Sequence, residues 1–451
     1  MRLLRLARYA HLTPAYSLGL LAMTLVSATA WAGAWENEGE FSAAASYSDN
    51  PGLLTELQNP EGALATVATA RANLRFIDPN REVAIVPTLR QTYYPDSDFR
   101  DLNQTDYLFR ISTNTLERRV TWGAELAYDD QGILSAEDTN PDDPNDGGDA
   151  NFLRADDRRE RFVAAPRLNL QISPQDVVSV SVNYTIVDFE LDFTDRSDFD
   201  SYGGSINYDR QLTQRQTLGF LASRSTLEAT RLGRFPVCIN GELPTFQPDG
   251  SLSCLPVTVV VGDLTNDSEG TSLRLVYTFN LSEQTQLNAA LGRQSTDIES
   301  GIFLPNEQQV SESSFKSTEY NLGIVRTGEH YNWRVNASRS VQPSSIGQPA
   351  DKIQVSGSFG YRVTERLNME VAGVAFKQDL KSALVTRENE FLRADLTMAW
   401  RLTRNWALTG AYTFRRQNPT IRRLDEIETP ENASLIRRSN TASLTLRYRF
   451  R

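Results

Sequence analysis

Histidine and cysteine are almost missing from this chain of 451 residues, with two of each. His11 falls in the first stretch of the chain and His330 in a short polar segment, so a Ser-His hydrolase would hang on one turn residue. No Gly-rich phosphate loop and no C-x-x-C pair occurs. Basic residues do not dominate: 46 Lys and Arg stand against 57 Asp and Glu, a net charge of -11, which argues against nucleic acid as a partner. Beyond residue 34 no apolar run approaches the ~20 residues that a spanning helix needs, and mean hydropathy is -0.42. The expectation is a chain without catalysis, cofactor or metal.

What is present begins with "MRLLRLARYAHLTPAYSLGLLAMTLVSATAWAGAWE". Arg2, Arg5 and Arg8 precede the apolar run Tyr16–Val26, and small residues with A-x-A spacing follow at Ala28, Ala30 and Ala32. That order predicts a secretory signal peptide over 1–32, cleaved near 30–34, with the rest (33–451) forming one domain. Loss of the leader would take the net charge from -11 to -14, because it carries three Arg and no acid. Cys238 and Cys254 lie sixteen positions apart in one predicted loop, with no histidine near. In an oxidising compartment they are expected to pair, which closes a loop worth roughly 3 kcal/mol.

The end of the chain, "SLTLRYRFR", places Leu444, Leu446, Tyr448 and Phe450 on one side of an extended strand. Ser443, Thr445, Arg447 and Arg449 take the other. The same period of two runs through Val178–Ile186, Leu273–Leu281 (Val276 excepted) and Leu392–Leu402, and no comparable period of 3.6 follows the leader. "QISPQDVVSV", "QLTQRQTLGF", "NLSEQTQLNA", "RVTERLNMEV" and "RLTRNWALTG" share one turn grammar: an apolar residue, then Ser or Thr, then a few polar residues. "IDPNREVAIV", "TLERRVTWGA" and "RTGEHYNWRV" are looser versions. These are eight tight hairpins. Between them lie longer polar connections, read here as Asp129–Asp157, Glu228–Asp267, Asp297–Ser313 and Arg416–Arg437.

Short turns alternating with long loops mark an all-β, transmembrane, antiparallel up-and-down barrel of the outer membrane of a Gram-negative bacterium. Eight hairpins, one strand at 40–48 and the terminal strand make about 18 strands. Sixteen is the alternative, because 40–48 and 367–377 carry the weakest patterns. Trp122, Tyr208, Phe279, Tyr361, Trp400, Trp406, Tyr448 and Phe450 cluster near the short turns on the apolar face, as a periplasmic aromatic girdle would. Tyr47, Tyr93, Tyr107 and Tyr128 would form the outer one. Pro87 and Pro166 fall inside predicted strands, where bulges or irregular pairing are expected. Arg451 adds one residue after the Phe450 that such barrels usually place last.

If apolar residues face lipid, the alternate set lines the interior, and about 18 strands leave an aqueous lumen. Its expected lining is Arg90, Arg110, Arg167, Arg274, Arg334, Arg362, Arg393, Arg401, Arg447 and Arg449. Arg161, Glu125, Asp209, Glu370 and Asp395 stand among them, with serines such as Ser179, Ser205 and Ser356. Arginine rings favour anions. The plainer alternative is that these arginines pair with inward carboxylates and stiffen the wall. "DTNPDDPNDGGD" (Asp138–Asp149) echoes a calcium loop but lacks Gly at its sixth place and Glu at its twelfth, and reads first as a solvated loop.

"SYSDNPGLL" (46–54) after an early strand, and hairpins of the "LSEQTQLN" type, resemble the β-barrel porin type 2 family over nearly the whole mature chain. Members are frequently associated with exopolysaccharide gene clusters. The resemblance implies a channel for export of an extracellular polysaccharide, with no catalytic residues to carry over. Implied partners are outer-membrane lipid and lipopolysaccharide, the barrel-assembly machinery and a periplasmic polysaccharide-export protein. Two other readings stay open: a general or anion-selective diffusion porin with the Glu228–Asp267 loop as its constriction, and a structural or adhesive surface barrel.

Overall fold

The computed structural model describes residues 34–51, 60–115, 117, 119–132, 158–190, 197–238, 257–303, 308–343, 349–381, 385–423 and 436–450. The leader, Cys254 and the Asp138–Asp149 segment lie outside them, as does the side chain of Cys238.

The chain forms eighteen strands in one sheet. They are β1 (Ala34–Ser48), β2 (Ala63–Asp78), β3 (Arg81–Tyr93), β4 (Gln104–Thr115), β5 (Val120–Gly132) and β6 (Arg158–Gln171). Next come β7 (Asp176–Phe189), β8 (Asp198–Thr213), β9 (Gln216–Cys238), β10 (Val257–Ser282), β11 (Thr285–Phe303) and β12 (Gln308–Thr327). The last six are β13 (Tyr331–Pro343), β14 (Pro349–Arg362), β15 (Leu367–Lys381), β16 (Val385–Arg401), β17 (Trp406–Arg423) and β18 (Arg437–Phe450). Each pairs antiparallel with the next in sequence, and β1 pairs with β18 from Gly39↔Phe450 to Ser48↔Thr441. The sheet closes on itself and has no free edge. The weakly patterned segments are both strands, β1 and β15, so the count is eighteen rather than sixteen.

The Ser/Thr of the tight turns has a plain reason. The hydroxyls of Ser173, Thr213, Ser282, Thr364 and Thr403 accept the amide two residues on, at 3.1 to 3.3 Å. In three of these turns they also accept the next amide, that of Asp176, Leu367 or Trp406. Asp78 does the same for Asn80 and Arg81. A backbone that cannot continue the ladder at the turn is satisfied locally.

The prolines leave gaps rather than bulges. β2 skips from Arg71↔Thr88 to Leu74↔Ile85 and β6 from Ala164↔Tyr184 to Arg167↔Ser181, with the register unchanged. Each proline lacks the donor only toward one neighbour and still stands in register with the other, Pro87 with Phe109 and Pro166 with Ala124. The true register shifts sit beside tight turns, at Gln211/Thr213 and Asn280/Ser282.

In three predicted loops the described residues are mostly wall. β9 and β10 stay paired out to Cys238↔Val257, and β11 and β12 to Phe303↔Gln308. β17 runs on to Arg423. β10 has 26 residues against 12 in β4. At the usual rise per residue that is about 85 Å of extended chain against about 40 Å. The misreading came from the outward face: Leu273, Leu275, Tyr277 and Phe279 are apolar, but farther along β10 the same face carries Thr271, Glu269 and Asp267. Ladder pairing does not need an apolar face once the strand has left the lipid. In this projecting part Asp200, Glu228, Asp267, Glu299 and Glu312 stand opposite one another across β8 to β12.

Candidate functional site in the barrel lumen

Alternation and register together assign the two faces. Phe41, Tyr47, Leu444, Leu446 and Phe450 are exposed outward, while Ser42, Ser443, Thr445 and Arg447 turn inward. Register and alternation put all eight aromatics named for the short-turn end on the outward face, with Trp122, Trp400 and Tyr361 about half exposed. Trp406 packs on Tyr448 at 4.8 Å and Phe41 on Phe450 at 5.7 Å, which lines the closing seam with rings.

The arginines named from the sequence all face the lumen, and carboxylates meet many of them. Glu40 of β1 holds Arg447 at 3.1 Å and Arg449 at 2.7 Å across the seam. Arg110 meets Glu125 at 3.1 Å, Arg393 meets Asp395 at 2.8 Å and Arg274 meets Glu319 at 3.3 Å. Arg90 reaches only 4.0 Å from Asp106, and Arg167 bonds to Asn114 at 2.7 Å. Arg362 and Arg401 are exposed and have no ion pair among the described residues, and Arg71, which sequence reading passed over, is the same. Arg159, Arg415, Arg437 and Lys352 also face inward. Their places follow from counting by two along each strand, but only once the strand ends are known. Ion-paired arginines and arginines without an ion pair among the described residues therefore both line the lumen.

The charges are unevenly spread. From β13 through the seam to β6 the lumen wall is rich in Arg and Glu. From β7 to β12 only Asp209, Arg274 and Glu319 are charged among the described side chains that face inward. Ser181, Ser205, Ser223, Ser225, Asn288 and Gln294 are among its neutral polar members, and Phe199, Leu221, Leu227, Ile298 and Phe315 face inward between them. Ser181 and Ser205 share a hydrogen bond of 2.7 Å.

Exposure also changes along the axis. Near the short turns the lumen side chains are open to solvent: Arg110 is 58% exposed and Arg449 64%. Toward the other end Asp106, Gln131, Leu227, Asn266, Glu319, Gln378 and Gln417 are buried, a ring that passes through both arcs. The connection after β3 contributes there. It holds a 3-10 turn at Ser97–Leu102, and the Tyr94 phenol feels the charges of both Arg90 and Arg415. Burial raises the Tyr94 pKa above its ordinary value, and the two arginines pull it back. The described part of the β9–β10 hairpin is wall, and it is Tyr94, after β3, that lies within reach of charges on both β3 and β17.

A closed antiparallel sheet of eighteen strands, apolar outside and polar inside, is the architecture of outer-membrane barrels. No family model matches the chain, and no curated protein matches it. Among solved structures it is similar to the siderophore receptor PiuA from Acinetobacter baumannii (9% identity, TM-score 0.46, 92% of this chain and 82% of that one). The ferric-catecholate import receptor Fiu from E. coli K12 gives 10%, 0.46, 91% and 81%. OccAB4 from A. baumannii gives 10%, 0.41, 92% and 98%. These likenesses are of barrel to barrel, and nothing that those proteins carry is transferred here.

Proposed function

We propose that this barrel is an outer-membrane channel through which an extracellular polysaccharide leaves the cell, fed by a periplasmic export protein. The observation that carries the reading is the two-sided lumen. A broad arc of Ser, Thr, Asn and Gln can trade hydrogen bonds with sugar hydroxyls without holding any one strongly, since a solvated hydrogen bond is worth only about 1 kcal/mol. The facing arc of arginines draws acidic sugars inward while its Glu and Asp partners keep that attraction moderate. The resemblance of "SYSDNPGLL" and of the hairpin grammar to the β-barrel porin type 2 family supports the same role.

One observation favours a second reading, an anion-selective diffusion porin: Arg71, Arg362 and Arg401 stand exposed without ion pairs among the described residues. Deleting the gene and weighing the extracellular polysaccharide, with a complemented strain beside it, separates the two. Loss restored by complementation is expected. Unchanged polysaccharide with slowed uptake of small anions would replace export by the porin reading.

A further inference from the structure

Apolar side chains are scattered along the lumen wall, Leu227, Ile298 and Phe315 among them, but one pair of aromatics is stacked there, with Val374 packed beside it. Phe376 on β15 and Phe391 on β16 are opposite each other and both face inward, their rings stacked at 4.9 Å and 21°. Immediately around them the wall is amide. Gln378 stands opposite Asn389 one inward position farther along, and Gln417 of β17 stands opposite Phe391. Lys352 of β14 stands opposite Gln378, with its Nζ 4.3 Å from the centre of the Phe376 ring.

The amides are in an expensive state. Gln378 is 0% exposed, and neither its Oε1 nor its Nε2 has a hydrogen-bond partner among the described residues. Gln417 is 3% exposed and its Nε2 has none. An amide atom withdrawn from water without a partner costs about 1–3 kcal/mol. Three such atoms in one patch are more than a merely filled wall would keep, because Leu or Met would fill the same volume without that cost.

We propose that this patch is a binding subsite for one residue of an acidic saccharide. The planar amide offers a donor and an acceptor side by side, which fits a pair of neighbouring sugar hydroxyls. Phe376 is covered by Phe391 and by the Lys352 ammonium, so it is the Phe391 ring that offers an apolar face for the C–H side of a pyranose. The ammonium of Lys352, over the Phe376 ring, fits a uronate carboxylate. A small inorganic anion would use the ammonium alone, and a lipid chain would leave the amides unsatisfied. The subsite rests on the export reading of this lumen and names the class of cargo. Gln378 is shut off from solvent in this structure, so binding there requires its amide to become accessible, and titration with sugar measures that as well.

The test uses the full barrel in detergent micelles, titrated calorimetrically with galacturonate hexasaccharide and with uncharged cellohexaose. Heat-modifiable migration on gels controls for folding. Wild type is expected to bind the uronate more tightly. Gln378→Leu and Gln417→Leu each weaken binding about tenfold, as one lost satisfied amide should, and Phe391→Ala weakens both sugars alike. Lys352→Met removes the preference for the uronate and keeps affinity for cellohexaose. Should leucine prevent folding, Gln378→Asn and Gln417→Asn withdraw the amide by one methylene, and weaker binding is again expected. Wild type that binds neither sugar, or amide variants that bind as wild type does, overturn the subsite. The deletion strain decides export separately, so loss of polysaccharide together with no sugar affinity refutes the subsite alone.

Discussion

The two arcs of the lumen obey the same alternation and differ in what their charges do. Between β13 and β6, across the seam, ion pairs are numerous and many are wet. Arg110 and Glu125 are each about half exposed, and Arg449 is more exposed than its partner Glu40. Between β7 and β12 the charges are few, and Glu319 is only 4% exposed beside Arg274 at 30%, with a short hydrogen bond from Ser272. A wet pair is worth about 0–1 kcal/mol, whereas a buried carboxylate stripped of its partner costs several. The wet pairs of the crowded arc are therefore nearly free of stability cost, although Asp129 with Arg159 and Arg161 is a buried cluster on the same arc, and the sparse arc depends on each of its few charges for stability.

The sharpest way to break this contrast is steric. Gly292 of β11 faces inward opposite Arg274, and a Cβ there would collide with the Leu273 carbonyl and the Arg274 Cα. Backbone cannot give way as a side-chain tip can, so Gly292→Val should abolish the folded, heat-modifiable band, a loss above about 4 kcal/mol. Gly410 of β17, with open space around its Cβ position, should accept alanine without loss of that band.

Arg274→Ala should cost about 3 kcal/mol in urea unfolding from micelles because it strands Glu319. Arg110→Ala in the other arc should cost under about 1 kcal/mol. Equal losses would erase the distinction between the arcs.

Charge reversal sharpens it from the other side. Arg362→Glu with Arg401→Glu should leave unfolding nearly unchanged and lower the anion-to-cation permeability ratio about twofold in planar bilayers. An unchanged ratio would mean that these two exposed arginines do not set the field.

The smallest effect belongs to the projecting wall of β9 to β12. Partial burial raises the Asp267 pKa, and Glu228 and Glu299 on either side raise it further. The folded carboxyl takes its proton more readily than the unfolded one does. Acidification through the raised pKa therefore stabilises this wall, and the gain is complete below the ordinary Asp value of 3.8. Amide exchange in 263–271 should slow as pH falls, once corrected for intrinsic rates. Asp267→Asn should be slower at neutral pH and lose that dependence.

Hairpins were legible because a turn is a local event. Ser173 or Thr403 satisfies amides two and three residues away, so its signal stands beside the turn it makes. Strand length was not legible. The outward face of β10 turns acidic at Glu269 while the backbone goes on pairing with β9 to Val257↔Cys238. Nor was the burial of Gln378, which looks like any polar lumen position until Phe391 and Lys352 are brought beside it and Phe376 from neighbouring strands.

By itself the sequence determined a β-barrel of about eighteen strands, its turns and the inward set of arginines. Those follow from alternation and from hydrogen bonds that span a few residues. Only the tertiary structure decided which carboxylate meets which arginine, how far the wall of β9 to β12 rises and where the lumen is dry. Those depend on cross-strand register and on closure of β1 against β18, which joins residues about four hundred positions apart in the chain.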